Sequence, residues 1–225
     1  MSIAEFFEAV KKGHQEEVNR LLRGTPNLIH EKENGLSPIL IAVYHGHSEI
    51  AELLAEKTVT LTIFEAAATG KRAQIARLLA RDPELVNAYS EDGFQPLGLA
   101  CFFGHQETAE YLIKAGARVN SPSKNKMKVT PLHSATAGGH TAIVKLLLKH
   151  GADPNAREDG DFTPLHAAAQ NGDVESIRAL LFNGADSHAK TAEGKIPLDY
   201  AAEAGKDQAV DVLKEEITKR FRVNK

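Results

Sequence analysis

The sequence predicts an all-α solenoid of stacked helix-turn-helix units that carry short hairpin fingers, and three observations predict it. Turn glycines recur at Gly13, Gly46, Gly70, Gly104, Gly139, Gly172 and Gly205, at successive intervals of 33, 24, 34, 35, 33 and 33 residues. A near-constant interval of this length marks a repeat architecture. Short Pro-centred segments precede five of these glycines, and the segments after the glycines are apolar at helical spacing.

Each element follows from local chemistry. In Thr130-Pro131-Leu132-His133-Ser134-Ala135 and Thr163-Pro164-Leu165-His166-Ala167-Ala168, the threonine before proline is an N-cap, and proline at the first helical position forfeits no hydrogen bond. Weaker copies stand at Ser37-Pro38-Ile39-Leu40, Gln95-Pro96-Leu97-Gly98 and Ile196-Pro197-Leu198-Asp199. Leucine at the next position packs inward, the alanines admit a close neighbour, and the turn glycine ends the helix in a left-handed conformation. A second helix returns antiparallel, with Ile143, Val144, Leu146, Leu147 and Leu148, or Ile177, Leu180 and Leu181, at helical spacing. One helix pair cannot bury that face alone, so the pairs must stack.

The period divides one domain, 1–225, into units at 1–30, 31–60, 61–88, 89–120, 121–155, 156–188 and 189–225. The first lacks the proline but opens with the capping-box pattern Ser2-Ile3-Ala4-Glu5 and exposes Glu8, Lys11 and Lys12, as a polar end cap would. The last carries Asp199, Glu203, Lys206, Asp207, Asp211 and Lys214, and continues into the basic tail Lys219-Arg220-Phe221-Arg222. The 24-residue interval between Gly46 and Gly70 is the main irregularity. There the chain passes from Leu53-Leu54-Ala55 through Thr58-Val59-Thr60 directly into Leu61-Thr62-Ile63-Phe64-Glu65-Ala66-Ala67, so the third unit is expected to lack its finger. The expected result is a gap in the row of fingers that shapes what binds.

The Thr-Pro-Leu-His motifs, the period, and the Gly116-Ala117, Gly151-Ala152-Asp153 and Gly184-Ala185-Asp186 closures strongly resemble the ankyrin repeat family, over nearly the whole chain. The resemblance implies a non-catalytic module that binds a partner protein through its concave finger and inner-helix surface. It also implies that His133 and His166 bond to the motif threonines and adjacent loops. Asn87, Asn120 and Asn155 match the family asparagine that ties the finger backbone.

Composition narrows the function classes. A net charge of -3 with a pI near 6.4 argues against broad attraction to nucleic acid or anionic lipid, which needs clustered cations. No apolar run is long enough to span a bilayer, and Glu5 and Glu8 interrupt the position of a signal peptide. The expectation is a cytoplasmic monomer. Cys101 is the single cysteine, which excludes an intrachain disulfide and a cysteine cluster for zinc. It occupies an alanine slot beside Phe102 and reads as a packed, inert thiol. His14, His47, His105 and His140 follow turn glycines, where imidazole is expected to bond to local backbone. Hydrolase-elbow, phosphate-loop and zinc-protease motifs are missing, so no catalytic residue, metal or cofactor is expected. The rival readings are a small-molecule or metal-dependent enzyme on this scaffold, and a structural spacer or homo-oligomer.

Family geometry places partner contacts on finger residues just before the Pro motif and on the last residues of each first helix. Here those positions hold Leu36, Tyr44 and His45 in the second unit, and Phe94, Phe102 and Phe103 in the fourth. The fifth contributes Lys126, Met127 and Val129, and the sixth Phe162, Gln170 and Asn171. The set is unusually apolar, and large exposed apolar patches mark interaction sites. The fifth finger is longer than its neighbours and holds Lys124, Lys126 and Lys128. Acidic residues flank it, Glu91 and Asp92 in the fourth finger and Glu158, Asp159 and Asp161 in the sixth, so alternating charge is expected to set finger register.

Overall fold

The structure, a computed structural model, describes residues 2–223, with side chains described to residue 218. The side chains of the basic tail, Lys219 to Arg222, lie outside the described residues. Among the described residues the chain is all-α, fourteen helices with a single isolated β-bridge at Glu33–Leu36. No described helix is long and apolar enough to cross a membrane. The helices fall into two compact units, residues 1–96 and 97–225.

The first unit holds three antiparallel pairs. They are α1 (Ile3–Lys11) with α2 (Gln15–Gly24), α3 (Pro38–Tyr44) with α4 (Ser48–Lys57), and α5 (Ile63–Ala68) with α6 (Arg72–Arg81). The inner helices α1, α3 and α5 pack side by side, and α2 packs on α4. Phe6, Phe7, Leu21, Ile39, Ile50, Leu54 and Ile75 are fully buried between them, each contributing roughly 1.5–3 kcal/mol of burial free energy. Only residues 58–62 join α4 to α5. The helix starts there without proline because Thr62 and Glu65 form a reciprocal capping box. Thr62 Oγ1 accepts from the Glu65 amide at 3.2 Å, and Glu65 Oε2 accepts from the Thr62 amide at 2.7 Å.

In the second unit the inner helices are α7 (Pro96–Phe102), α9 (Pro131–Ala137), α11 (Pro164–Asn171) and α13 (Pro197–Glu203). The outer helices are α8 (Gln106–Lys114), α10 (Thr141–Lys149), α12 (Val174–Phe182) and α14 (Asp207–Val223). Inner helices α9, α11 and α13 stack in sequence, as do outer helices α8, α10, α12 and α14. Ala135, Ala168, Ala169 and Ala201 are almost wholly buried, since a methyl-sized side chain lets the next inner helix approach.

The turn histidines His47 and His140 bond to the preceding repeat rather than locally. His47 Nε2 donates to Lys11 O at 2.8 Å, and His140 Nε2 donates to Phe102 O at 2.9 Å. Each therefore satisfies a carbonyl at the C-terminal end of the preceding inner helix, where carbonyls have no intrahelical partner. The imidazole occupies the space a glycine leaves open. A Cβ built on Gly104, at φ +79°, would lie 2.5 Å from the His140 ring. Gly104 thus serves both the left-handed turn and the close approach of the next repeat.

Candidate functional site

Within the second unit, the corner where α7 meets its turn presents Phe102 and Phe103. Their neighbours Ala100 and Cys101 are wholly buried, whereas Phe102 is 44% exposed and Phe103 is half-buried. The two rings meet edge to face, 5.1 Å between centroids at 89°, so Phe103 supports Phe102 from the side. The Phe102 carbonyl is held by His140, which fixes the helix end that carries the exposed ring.

The fifth finger is braced internally. Ser123 Oγ accepts from the Val129 amide at 2.9 Å, the Ser123 amide donates to Val129 O at 2.8 Å, and Asn125 Oδ1 accepts from the Met127 amide at 3.1 Å. Val129 is consequently half-buried, while Lys126 and Met127 project outward, Met127 at 53% exposure. Backbone bonds set the register of successive fingers here. The Asp159 amide donates to Met127 O at 2.9 Å, and the Ala192 amide to Gly160 O at 2.8 Å. Of the flanking acidic side chains, Asp161 pairs within its own finger, with Arg157 at 3.3 Å.

Phe162, Gln170 and Asn171 part company. Phe162 is half-buried and packs 5.1 Å from the His166 ring and 5.2 Å from Tyr200. It is wedged between the inner helices α11 and α13, and its carbonyl accepts from His133 Nε2 at 3.2 Å. Asn171 is exposed, yet its amide nitrogen donates to Thr136 O at 2.8 Å and Ala137 O at 3.3 Å. It caps α9 as the turn histidines cap their neighbours. Gln170 is exposed on the same helix end.

In the first unit, Leu36 is half-buried beside the Glu33 bridge and His45 is exposed. Phe94 is half-buried, with its amide donating to Ser90 Oγ at 3.0 Å and its carbonyl accepting from the Ser90 amide at 2.9 Å. Tyr44 is turned to a structural task. Its hydroxyl donates to Asp92 Oδ2 at 2.6 Å, and beside this contact Lys32 pairs with Glu91. These two ties join the second repeat, at its finger and at the end of α3, to the fourth finger and close the gap expected where the third finger is missing. With no finger between them, the fourth finger rests directly on the second, and a Cβ on Gly35 would collide with Glu91.

Electrostatics at the remaining candidates are structural in cause. His133 Nδ1 accepts from Thr130 Oγ1 at 2.8 Å, and His166 Nδ1 from Thr163 Oγ1 at 2.8 Å, so each ring is a neutral tautomer with its proton on Nε2. Burial pushes the His133 pKa down to about 4 and lowers that of His166. Burial likewise pushes the Cys101 thiol up, away from thiolate chemistry. Burial first, and then the neighbouring Asp159 charge, raise Glu158 to about 7. No group of three His, Cys, Asp or Glu side chains among the described residues has metal-binding geometry. Asn120 and Asn155 reach past the fingers to the loop that closes the next helix pair. Asn155 Nδ2 donates to Gly184 O at 2.9 Å and its Oδ1 accepts from the Asp186 amide at 2.8 Å, with the same pattern from Asn120 to Gly151 and Asp153.

This lattice of threonine-histidine caps, inter-repeat carbonyl caps and asparagine bridges repeats with the glycine period. A family model described as ankyrin repeats in three copies matches residues 6–83, 63–158, 121–191 and 157–224. The chain belongs to the ankyrin repeat family. The ankyrin repeat domain-containing protein SAT10 of Stachybotrys chartarum is 29% identical over 158 residues, covering 68% of this chain and 8% of the relative. Mouse Rabankyrin-5 is 32% identical over 157 residues, covering 65% and 13%. The putative E3 ubiquitin-protein ligase XBAT35 of Arabidopsis thaliana is 38% identical over 84 residues, covering 37% and 18%. Since the match spans 8%, 13% and 18% of these relatives, what they share with this chain is the ankyrin module. Ankyrin repeats generally mediate protein-protein interaction, and such modules are typically non-catalytic scaffolds.

Proposed function

We propose that the protein is a non-catalytic adaptor, a cytoplasmic monomer that captures a partner protein on the finger and inner-helix surface of its second unit. The observation that carries this reading is Phe102. A large aromatic ring at the end of an inner helix remains 44% exposed, although the fold wholly buries Ala100 and Cys101 just before it. Phe103 buttresses it, while Lys126, Met127 and Gln170 supply exposed apolar and polar groups on the finger and helix end of the following repeats. Aromatic anchors with polar surroundings are the composition of interaction hot spots. Protein is favoured over nucleic acid or membrane as the ligand because the net charge is -3, whereas phosphate-tracking surfaces are strongly basic.

The test is the double substitution Phe102→Ala and Phe103→Ala, with circular dichroism to verify folding and affinity capture to read binding. Capture of partner proteins by wild type should be lost in the folded double mutant. Unchanged capture by that mutant would reject this surface.

A further inference from the structure

Among the outer helices α2, α4, α6, α8, α10 and α12, all but α12 carry a cation in the last turn, Arg23 in the case of α2. α4, α6, α8 and α10 finish at Lys57, Arg81, Lys114 and Lys149, whereas α12 finishes at Phe182 with no basic residue in its last turn. A cation at that position is stabilised by the helix dipole, so the phenylalanine forgoes a local gain. It recovers nothing through packing, because Phe182 is 91% exposed. Its ring therefore contributes to neither the helix nor the core.

Phe182 borders an open groove of about 550 Å³ between α10 and α12. Leu148 and Ala179 provide apolar lining, and Lys149 and Arg178 provide charge. Spacing explains the alignment: Glu175, Arg178, Ala179 and Phe182 stand at i, i+3, i+4 and i+7 on α12, and Lys145, Leu148 and Lys149 at i, i+3 and i+4 on α10. The carboxylate in the groove, Glu175, is bound to Lys145 at 2.7 Å. Glu110 of α8, whose carboxylate also feels Lys149, is bound to Lys114 at 2.6 Å. Lys149 and Arg178 are thus surplus positive charges beside an exposed aromatic ring.

We infer that the outer groove between α10 and α12 is a docking site for an acidic protein segment carrying an apolar side chain. The apolar side chain packs against Phe182, Leu148 and Ala179, and its carboxylates meet Lys149 and Arg178. Two surplus cations flanked by carboxylates suit a short acidic peptide better than a nucleic-acid backbone or an anionic membrane, which need a continuous basic face. This surface lies on the outer helices and is independent of the Phe102 surface.

The test titrates the full chain, labelled with nitrogen-15, with synthetic peptides of about twelve residues, roughly 18 Å if helical. One is acidic with a central leucine pair, one keeps the leucines with lysine for every acid, and one is acidic without leucines. The first should shift the amides of Lys149, Arg178, Ala179 and Phe182, and bind at least about tenfold more tightly than the other two. Phe182→Ala and Arg178→Glu should each weaken it by a similar factor, whereas Phe102→Ala with Phe103→Ala should leave it unchanged. Phe182→Lys, which restores the cation at the helix end, is the folded control: it should melt no lower than wild type and still lose the peptide. The inference is overturned by absence of shifts at on the order of 1 mM peptide, by shifts outside this groove, or by equal binding of the lysine peptide. Undiminished binding to Phe182→Ala would overturn it too. Tighter binding of phosphatidylserine vesicles or a single-stranded oligonucleotide at these residues would reassign the site.

Discussion

Tyr44 Oη donates a 2.6 Å hydrogen bond to Asp92 Oδ2, joining the last residue of α3 to the fourth finger across a helix pair that sends out no finger of its own. The intervening α5 and α6 are still fully formed, because the capping box of Thr62 and Glu65 starts α5 without a Pro motif. A missing finger therefore leaves the helices in place and brings two distant fingers together.

Tyr44→Phe should destabilise the protein by about 1 kcal/mol, the net value of one hydrogen bond, since Ser90 still donates to Asp92 and the carboxylate keeps a partner. Urea denaturation at pH 7 checks this. A second readout is alkaline pH. Burial first, and the Asp92 bond second, raise the Tyr44 pKa, so its contribution is full below about pH 10, the unfolded value, and is lost as pH rises beyond it. Tyr44→Phe should abolish that part of the alkaline slope.

His133 yields the opposite dependence. Its pKa falls from about 6.5 unfolded to about 4 folded, so the unfolded chain binds the proton first. The contribution is complete above pH 6.5 and shrinks as pH falls toward 4, by up to roughly 3 kcal/mol across that window. The stability difference between wild type and His133→Gln, measured in urea, should accordingly narrow with each step from pH 7 to pH 5. A difference independent of pH would contradict the buried neutral tautomer.

Much of this arrangement is legible in the residues. The inner helices beginning at Pro38, Pro96, Pro131, Pro164 and Pro197 are local events, fixed by a cap, a proline and a turn glycine within a single repeat. The Thr130–His133 and Thr163–His166 contacts are equally local, three residues apart. What is not legible spans repeats. Whether His140 bonds nearby or to Phe102 O, and whether Phe162 faces solvent or Tyr200, depends on the approach of the next helix pair, and no spacing encodes that distance. Tyr44 belongs to this class: its position at a helix end is evident, but its engagement by Asp92 follows from the fourth finger settling into the space of an absent one. Phe182 did carry a signal, the break in a run of Lys and Arg at outer-helix ends.

Glu158 tests the desolvation of the sixth finger. Its pKa is raised to about 7, so the folded protein holds the proton longer than the unfolded chain. That contribution is complete below about pH 4.5 and is lost as pH rises through 7. Above that pH the wild type carries a half-buried charge beside Asp159. Glu158→Gln should therefore match wild type near pH 4.5 and exceed it at pH 8 by about 1–2 kcal/mol, allowing for solvent screening. Thermal or urea unfolding at the two pH values distinguishes this from a pH-independent effect.

The asparagine bridges predict a local response. Asn155 satisfies one carbonyl and one amide, at Gly184 and Asp186, in the loop closing the next helix pair. Asn155→Ala removes both bonds and should cost about 1–2 kcal/mol, less than two buried bonds would, because water reaches this exposed loop. In a stack where each repeat contacts only its neighbours, the damage should stay there. Amide hydrogen exchange should accelerate at Asp186 and leave Asp153 protected by Asn120. Asn120→Ala should give the reverse pattern, and the two substitutions should add to within about 0.5 kcal/mol. Strong coupling between them would show that the bridges act as one continuous strut through the second unit rather than as separate links between consecutive repeats.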